Sequence, residues 1–250
     1  MTFALPGERP NGRHLALLCG MLLALGAPPM QAQDSTEAPP WETWPELDVW
    51  VRLNPREQLF FPLAISRARE VDYTEGLVGA HYDRRLNKYL SARAGYRYLW
   101  ALSNRDDPDQ YREHRLVAEV TPRTYVVAGI KVYDRNRFDL RSINGEVSWR
   151  YRNRVRAERV FELGRARALT PYAMVEIGYD SRYDEFNRVR LQAGGEYQFS
   201  PSLWLDLYYV RQWDDQSSVP RLNAIGVAVN LAFCRWCGVA APAPKDAQGT

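Results

Sequence analysis

Four arginines, Arg150, Arg152, Arg154 and Arg156, occupy every second position of WRYRNRVRAER (149–159). A guanidinium is a planar fork of donors, suited to bidentate pairing with carboxylates, phosphates or sugar acids. Between the arginines stand Trp149, Tyr151, Asn153, Val155 and Ala157. Successive side chains of a β-strand point to opposite faces, so one face carries the arginines and the other is mostly apolar. The same parity exposes Arg188, Arg190 and Glu196 on one side of 187–199, and Asp206 on one side of 203–210. With Glu158 and Glu176 these residues form a candidate charge network. It has two readings: a structural lattice tying strand to strand, or a device that binds or passes anions. All but three of the 33 basic residues are arginine, an excess that codon bias in the source genome also explains.

Other chemistry has weaker footing. An acyl-transfer or hydrolytic site needs a nucleophile beside a base. Beyond the N-terminal segment the only histidines are His81 and His114, and neither has a serine or acid at a telling spacing. His114 shares a face with Leu116 and Ala118, and His81 shares one with Leu77 and Gly79. No catalytic residue is expected. Asp106 to Asp109 and the pair Asp214-Asp215 lack the spacing of a calcium loop and read as solvated acidic loops. Cys234 and Cys237 can close a small disulfide loop in an oxidising compartment; zinc would need two further ligands, and none is spaced nearby. No metal or cofactor is expected.

The elements that must position these side chains are strands, because the dominant hydrophobic period is two. Leu90, Ala92, Ala94, Tyr96 and Tyr98 alternate with Ser91, Arg93, Gly95 and Arg97; Ile225, Val227, Val229, Leu231 and Phe233 alternate with small residues. Turn signals such as NPRE (54–57), NG (144–145) and SPS (200–202) separate the runs. Strand windows fall at 46–53, 58–67, 73–83, 89–100, 110–121, 124–142, 146–161, 171–180, 186–199, 203–213 and 221–233. No window reads as an amphipathic helix. Single-chain bacterial barrels have even strand numbers, so twelve strands are expected, with ten as the fallback.

A long up-and-down sheet closes on itself. A soluble barrel would turn its apolar set inward; an outer-membrane barrel turns it toward lipid and keeps a polar lumen. The heavy ionisation of the polar set is compatible with both. Three features favour the membrane form. The strands exceed the usual soluble length. Tyr98, Tyr179, Tyr197, Phe199, Tyr209 and Phe233 lie near strand ends on the apolar face, as an aromatic girdle would. The last strand stops at Phe233, a terminal pattern that outer-membrane assembly machinery would read.

The N-terminus supports export. Arg9, Arg13 and His14 precede the apolar run Leu15 to Ala27, and Met30-Gln31-Ala32 suits cleavage. The expected layout is a signal peptide at 1–32, an extended lead-in at 33–45, an outer-membrane barrel at 46–233 and a flexible tail at 234–250. A formal charge of +3 without a basic block argues against nucleic acid. A mean hydropathy of −0.46 argues against helical membrane spans.

DRNRFDLRSINGEVSWRYRNRVRAER (134–159), LTPYAMVEIGYDSRYDEFNRVRLQAGGEY (169–197) and LNAIGVAVNLAF (222–233) resemble the proteobacterial domain-of-unknown-function family 2490. The resemblance implies an exported outer-membrane β-barrel and no particular activity. The combined expectation is an all-β, antiparallel up-and-down transmembrane barrel in the outer membrane of a Gram-negative bacterium. It would be monomeric, in contact with outer-membrane lipids, with a lumen that is structural or a narrow anion-preferring pore. The alternatives are an outer-membrane lipid-modifying enzyme and a periplasmic ligand-carrying barrel.

Overall fold

The computed structural model describes residues 39–68, 74–102, 111–126, 129–164, 167–217 and 219–234. These residues are all-β, and their elements follow in chain order: β1 (Trp41–Asn54), β2 (Glu57–Ala68), β3 (Thr74–Arg85), β4 (Leu90–Ala101), β5 (Arg112–Tyr125) and β6 (Ile130–Ile143). Then come β7 (Glu146–Arg159), β8 (Phe161–Gly164), β9 (Arg167–Asp180), β10 (Glu185–Ser200), β11 (Leu203–Asp214) and β12 (Arg221–Cys234). The expected signal segment, Cys237 and most of the expected tail lie outside the described residues, as do Asp106 to Asp109.

The twelve strands form one sheet, and eleven of them close it into a barrel. The twelfth, β8, continues β7 past Val160 along the same edge of β9, pairing Phe161 with Leu169. Neighbours around the wall are antiparallel except at one seam, where β1 pairs with β12 in parallel from Trp41–Asn223 to Arg52–Cys234. The seam follows from parity. In a meander each strand reverses the last, so an odd number of walls brings the first and last strands together running the same way.

Prolines explain where the sequence windows needed adjusting. Pro45 and Pro122 lie inside strands, not before them. At each, one ladder is interrupted: the β1–β2 pairing runs from Thr43–Arg67 to Glu46–Ala64, and the β5–β6 pairing from Val120–Asn136 to Arg123–Tyr133. A missing N–H is tolerated at such a gap. β1 therefore begins at Trp41, inside the expected lead-in, and β5 runs on to Tyr125. The turn at Asn144-Gly145 is the one the sequence signalled. Both residues have positive φ, 49° and 97°, as a two-residue hairpin with type I′ geometry requires.

The faces are sorted as in a barrel turned inside out. Leu47, Leu63, Leu116, Val120, Leu207 and Ile225 are exposed on the outer surface, while Arg137, Glu113, Glu176, Asp139 and Asp214 are among the largest fully buried side chains. Tyr98, Tyr179 and Tyr209 point outward near one rim, and Tyr197, Phe199 and Phe233 outward near the other. Tyr179 stacks on Trp149 with ring centroids 5.0 Å apart, and Tyr197 meets Phe199 edge-on at 4.6 Å. The rim carrying Phe233 also holds the tight connections after β1, β3 and β10. The first strand opens at the opposite rim.

Near the middle of β6 and β7 the outer face departs from the expected apolar pattern. Asp134 and Asn136 on β6 share it with Tyr151 and Asn153 on β7. Asn153 Nδ2 donates to Asp134 Oδ1 at 2.5 Å and to Asn136 Oδ1 at 3.2 Å, and Tyr151 Oη donates to Asn136 Oδ1 at 2.6 Å.

Candidate functional site

The inward face of β5, β6, β7 and β9 carries a lattice of guanidinium groups held by a few carboxylate hubs. Asp139, fully buried on β6, accepts from Arg137 at 2.6 Å, Arg152 at 3.1 Å and Arg150 at 3.2 Å. Glu176 on β9 accepts from Arg135 and Arg154 at 2.8 Å each, and Arg152 lies 3.5 Å from its other oxygen. Glu113 on β5 accepts from Arg115 at 2.6 Å and takes two bonds from Arg141, at 2.7 and 3.0 Å. Asp180 accepts from Arg141 at 2.7 Å and Arg182 at 2.9 Å. Nearer the Phe233 rim, Arg156 pairs with Glu196 at 2.5 Å and Glu158 at 2.9 Å. Burial of so many charges is tolerated because each of the buried hubs Asp139, Glu176, Glu113 and Asp180 gathers two or three donors.

Every member of the arginine row therefore has a carboxylate partner. Of the four acids expected to face it, Glu158, Glu176 and Glu196 do so. Asp206 makes no ion pair with the row: it stands opposite Glu196 in the β10–β11 ladder and accepts from Tyr172 Oη at 2.9 Å. Arg188 pairs with Asp214 at 2.7 Å, so Asp214 is a buried inward residue instead of part of a solvated loop. Arg190 donates to Gln212 Oε1 at 3.0 Å.

The opposite wall differs in kind. From β1 the sheet reaches β6 through β2 to β5, and β7 through β12 to β9, so β1 faces the arginine lattice across the bore. Its inward side chains are Glu42, Trp44, Glu46, Asp48, Trp50 and Arg52. Tyr208 on β11 hydrogen-bonds Glu46. Its ring lies over Gly226, where an added Cβ would come within 1.9 Å of Tyr208 Cζ, so only glycine seats it. A cavity of about 1310 Å³ lies between the two walls and is lined by residues of both rims, Glu42 and Ser217 at one end and Asn54 and Arg85 at the other.

Neither histidine has the surroundings of a base. His81 is buried in the lumen, stacked on Phe60 at 5.5 Å, and accepts from Arg97 at 3.0 Å. His114 faces outward and shares a hydrogen bond of 2.6 Å with Tyr96 Oη. Among the described residues no group of three or more His, Cys, Asp or Glu is arranged to hold a metal ion. Cys234 is disulfide-bonded.

The family model described as "Protein of unknown function (DUF2490)" matches residues 41–223. The chain belongs to the DUF2490 family. No curated protein matches it. Among solved structures the barrel is similar to LpxR from Salmonella typhimurium, with a TM-score of 0.52 and 12% identity over 74% of this chain and 86% of that one. At that identity the likeness concerns the fold.

In this DUF2490 barrel the hubs Asp139, Glu113 and Asp180 escape a reading based on clean alternation. The inward set of β6, Lys131, Tyr133, Arg135, Arg137, Asp139 and Arg141, alternates as regularly as that of β7. Asp134 and Asn136 blur it by placing polar groups on both faces. The signal that finds the hubs is an acid at the parity of its neighbouring arginines, two residues away: Asp139 between Arg137 and Arg141, Glu113 before Arg115.

Proposed function

We propose that this protein is an outer-membrane barrel providing a narrow, hydrated passage for small polar solutes, with an anion preference. The observation that carries the reading is the cavity bounded by both rims, with the guanidinium lattice as one wall. The lattice is ion-paired and serves as a rigid liner. Its hubs hold more guanidinium groups than carboxylates, so it leaves a positive excess facing the space. The exposed aliphatic surface between two aromatic zones supports placement in a bilayer. The connections of tight-turn type would face the periplasm, and Phe233 would close the strand presented to the assembly machinery. No catalytic role is assigned, since the contacts of His81 and His114 supply neither nucleophile nor orienting acid.

Purified full-length protein in planar bilayers tests the proposal. Small unitary currents are expected, with a reversal potential in a KCl gradient on the chloride side of zero selectivity. A barrel that inserts, shown by heat-modifiable gel mobility, yet passes no current would leave only the structural lattice. Recovery of the protein from the periplasm without detergent would remove the membrane reading altogether.

A further inference from the structure

Arg97 on β4 is held by a histidine where the lattice arginines are held by acids. Its Nε donates to His81 Nε2 at 3.0 Å, and among the described residues its two terminal nitrogens have neither a hydrogen-bond nor an ion-pair partner. Two glycines and the imidazole fix its place. Gly79, opposite Arg97 in the β3–β4 ladder, leaves room for its stem: an added Cβ would come within 3.0 Å of Arg97 Cγ. Gly95 leaves room for the imidazole, since a Cβ there would collide with His81 Nδ1. The ring is buried against Phe60. Because Nε2 accepts, the imidazole proton sits on Nδ1, which is enclosed without a partner. A stranded buried N–H is costly, and what it secures is the position of the Arg97 guanidinium at the cavity wall.

A second guanidinium stands beside it. Arg115 is directly opposite Arg97 in the β4–β5 ladder, and the Cα atoms of such a pair are about 5 Å apart. Arg115 gives its Nε to Glu113 at 2.6 Å, and its terminal nitrogens have no partner among the described residues. Arg137 lines the same cavity, with Nη2 enclosed and unpartnered. The nearby acids are engaged elsewhere: Glu113 with Arg141, Asp139 with Arg137, Arg150 and Arg152, and Glu119 with Arg135 at 3.7 Å. The strongest charges around Arg97 are the cations Arg115, Arg152 and Arg93, with Asp139 after them. Like-charged forks side by side repel one another unless an anion joins them. A phosphate-type oxyanion offers several oxygens to both forks, whereas chloride is one sphere with a single charge. We infer that the lumen holds a binding site for a small phosphate-type oxyanion, with Arg97 and Arg115 as its principal donors and His81 as the residue that positions Arg97. This rests on the anion-admitting lumen proposed above and names the anion.

Isothermal titration calorimetry of the full chain, folded in a non-ionic detergent and kept in a sodium chloride buffer, measures binding apart from conduction. Inorganic phosphate and glycerol 3-phosphate are titrated in turn. Saturable binding is expected, and the tighter of the two tells whether the site takes the free ion or a small ester. Arg97→Lys keeps the charge and loses the fork. It should weaken binding by about tenfold or more, the contribution of one charge-assisted hydrogen bond. Arg115→Gln should do the same, and carries the test if the first variant lacks heat-modifiable mobility. His81→Phe keeps a ring beside Phe60 and removes the acceptor, so affinity should fall while the folded band persists. Arg211→Gln removes a cation that bonds Asn223 on the outer face and should leave affinity unchanged. Binding of neither phosphate over chloride overturns the site, and bilayer currents then judge the passage alone. Saturable binding without bilayer current supports the site and overturns the passage. Affinity unchanged in folded Arg97→Lys and Arg115→Gln overturns the placement at these forks, and affinity unchanged in His81→Phe overturns the positioning role.

Discussion

At the residue scale the lumen is organised by a few acids, not by the arginines that dominate the sequence. Asp139 accepts from three guanidinium groups, and removing it leaves Arg137 and Arg150 buried without their carboxylate partner. Asp139→Leu is therefore expected to lower stability by about 3–5 kcal/mol, the usual cost of leaving buried charge uncompensated. Urea titration of the folded gel band measures it. Arg156→Gln should cost far less, about 1 kcal/mol or below, because Arg156 and Glu196 are both partly solvated. Equal effects of the two substitutions would mean that the hubs are no more important than rim pairs. Lysine would be a poor replacement in the arginine row. Arg152 reaches Asp139 with one nitrogen and Glu176 with another, which a single ammonium cannot do.

At the element scale two features invite direct tests. The parallel seam places Leu47 opposite Val229, both on the outer face. Cysteines at these two positions should cross-link with a short bismaleimide. A cysteine at Leu47 with one at Ile225 should not, since Thr43 is the residue opposite Ile225. Efficient cross-linking of the second pair alone would contradict the seam's register. The outward cluster of Asp134, Asn136 and Asn153 is a separate matter. These groups satisfy one another, but under the membrane placement proposed above polar side chains facing lipid are a net cost. Replacing both partners of a hydrogen bond by apolar groups is often neutral or stabilising. The triple change Asp134→Val, Asn136→Leu, Asn153→Leu should raise the temperature at which the folded band is lost. A clear drop would show that this patch meets a polar partner instead of lipid.

At the scale of the whole molecule the fold is an inversion of the soluble rule. Its outer surface is aliphatic and its interior is ionised. Sheet closure makes this possible. The barrel has no exposed edge except the short β8, so backbone polar groups are satisfied in the wall. The lattice then replaces the apolar core as the filler between opposite walls. Its ion pairs are enclosed and weakly screened, so the folded band should survive high salt. Raising NaCl to about 1 M, where the screening length is about 3 Å, should shift its melting temperature little. It should, however, reduce any charge preference in permeation. A salt-induced loss of the folded band would mean that the hubs are solvent-screened.

The strand period, the inward parity of Arg150 to Arg156, the NG hairpin and the outward placement of aromatics near strand ends were all legible in the chain. They depend on local alternation and turn chemistry, which act over a few residues. Pairing could not be read in the same way. Whether the first and last strands meet parallel or antiparallel depends on the count of walls, and the continuation of β7 by β8 changes that count. The partners of the arginines were equally out of reach. Asp139 lies on β6 and Glu176 on β9, flanking β7 on either side, and parity says only that all three sets point inward. Register between strands selects which acid meets which guanidinium. The composition alone balanced the charges; closure of the sheet and its register decided that every arginine of the row is paired with an acid of a nearby strand.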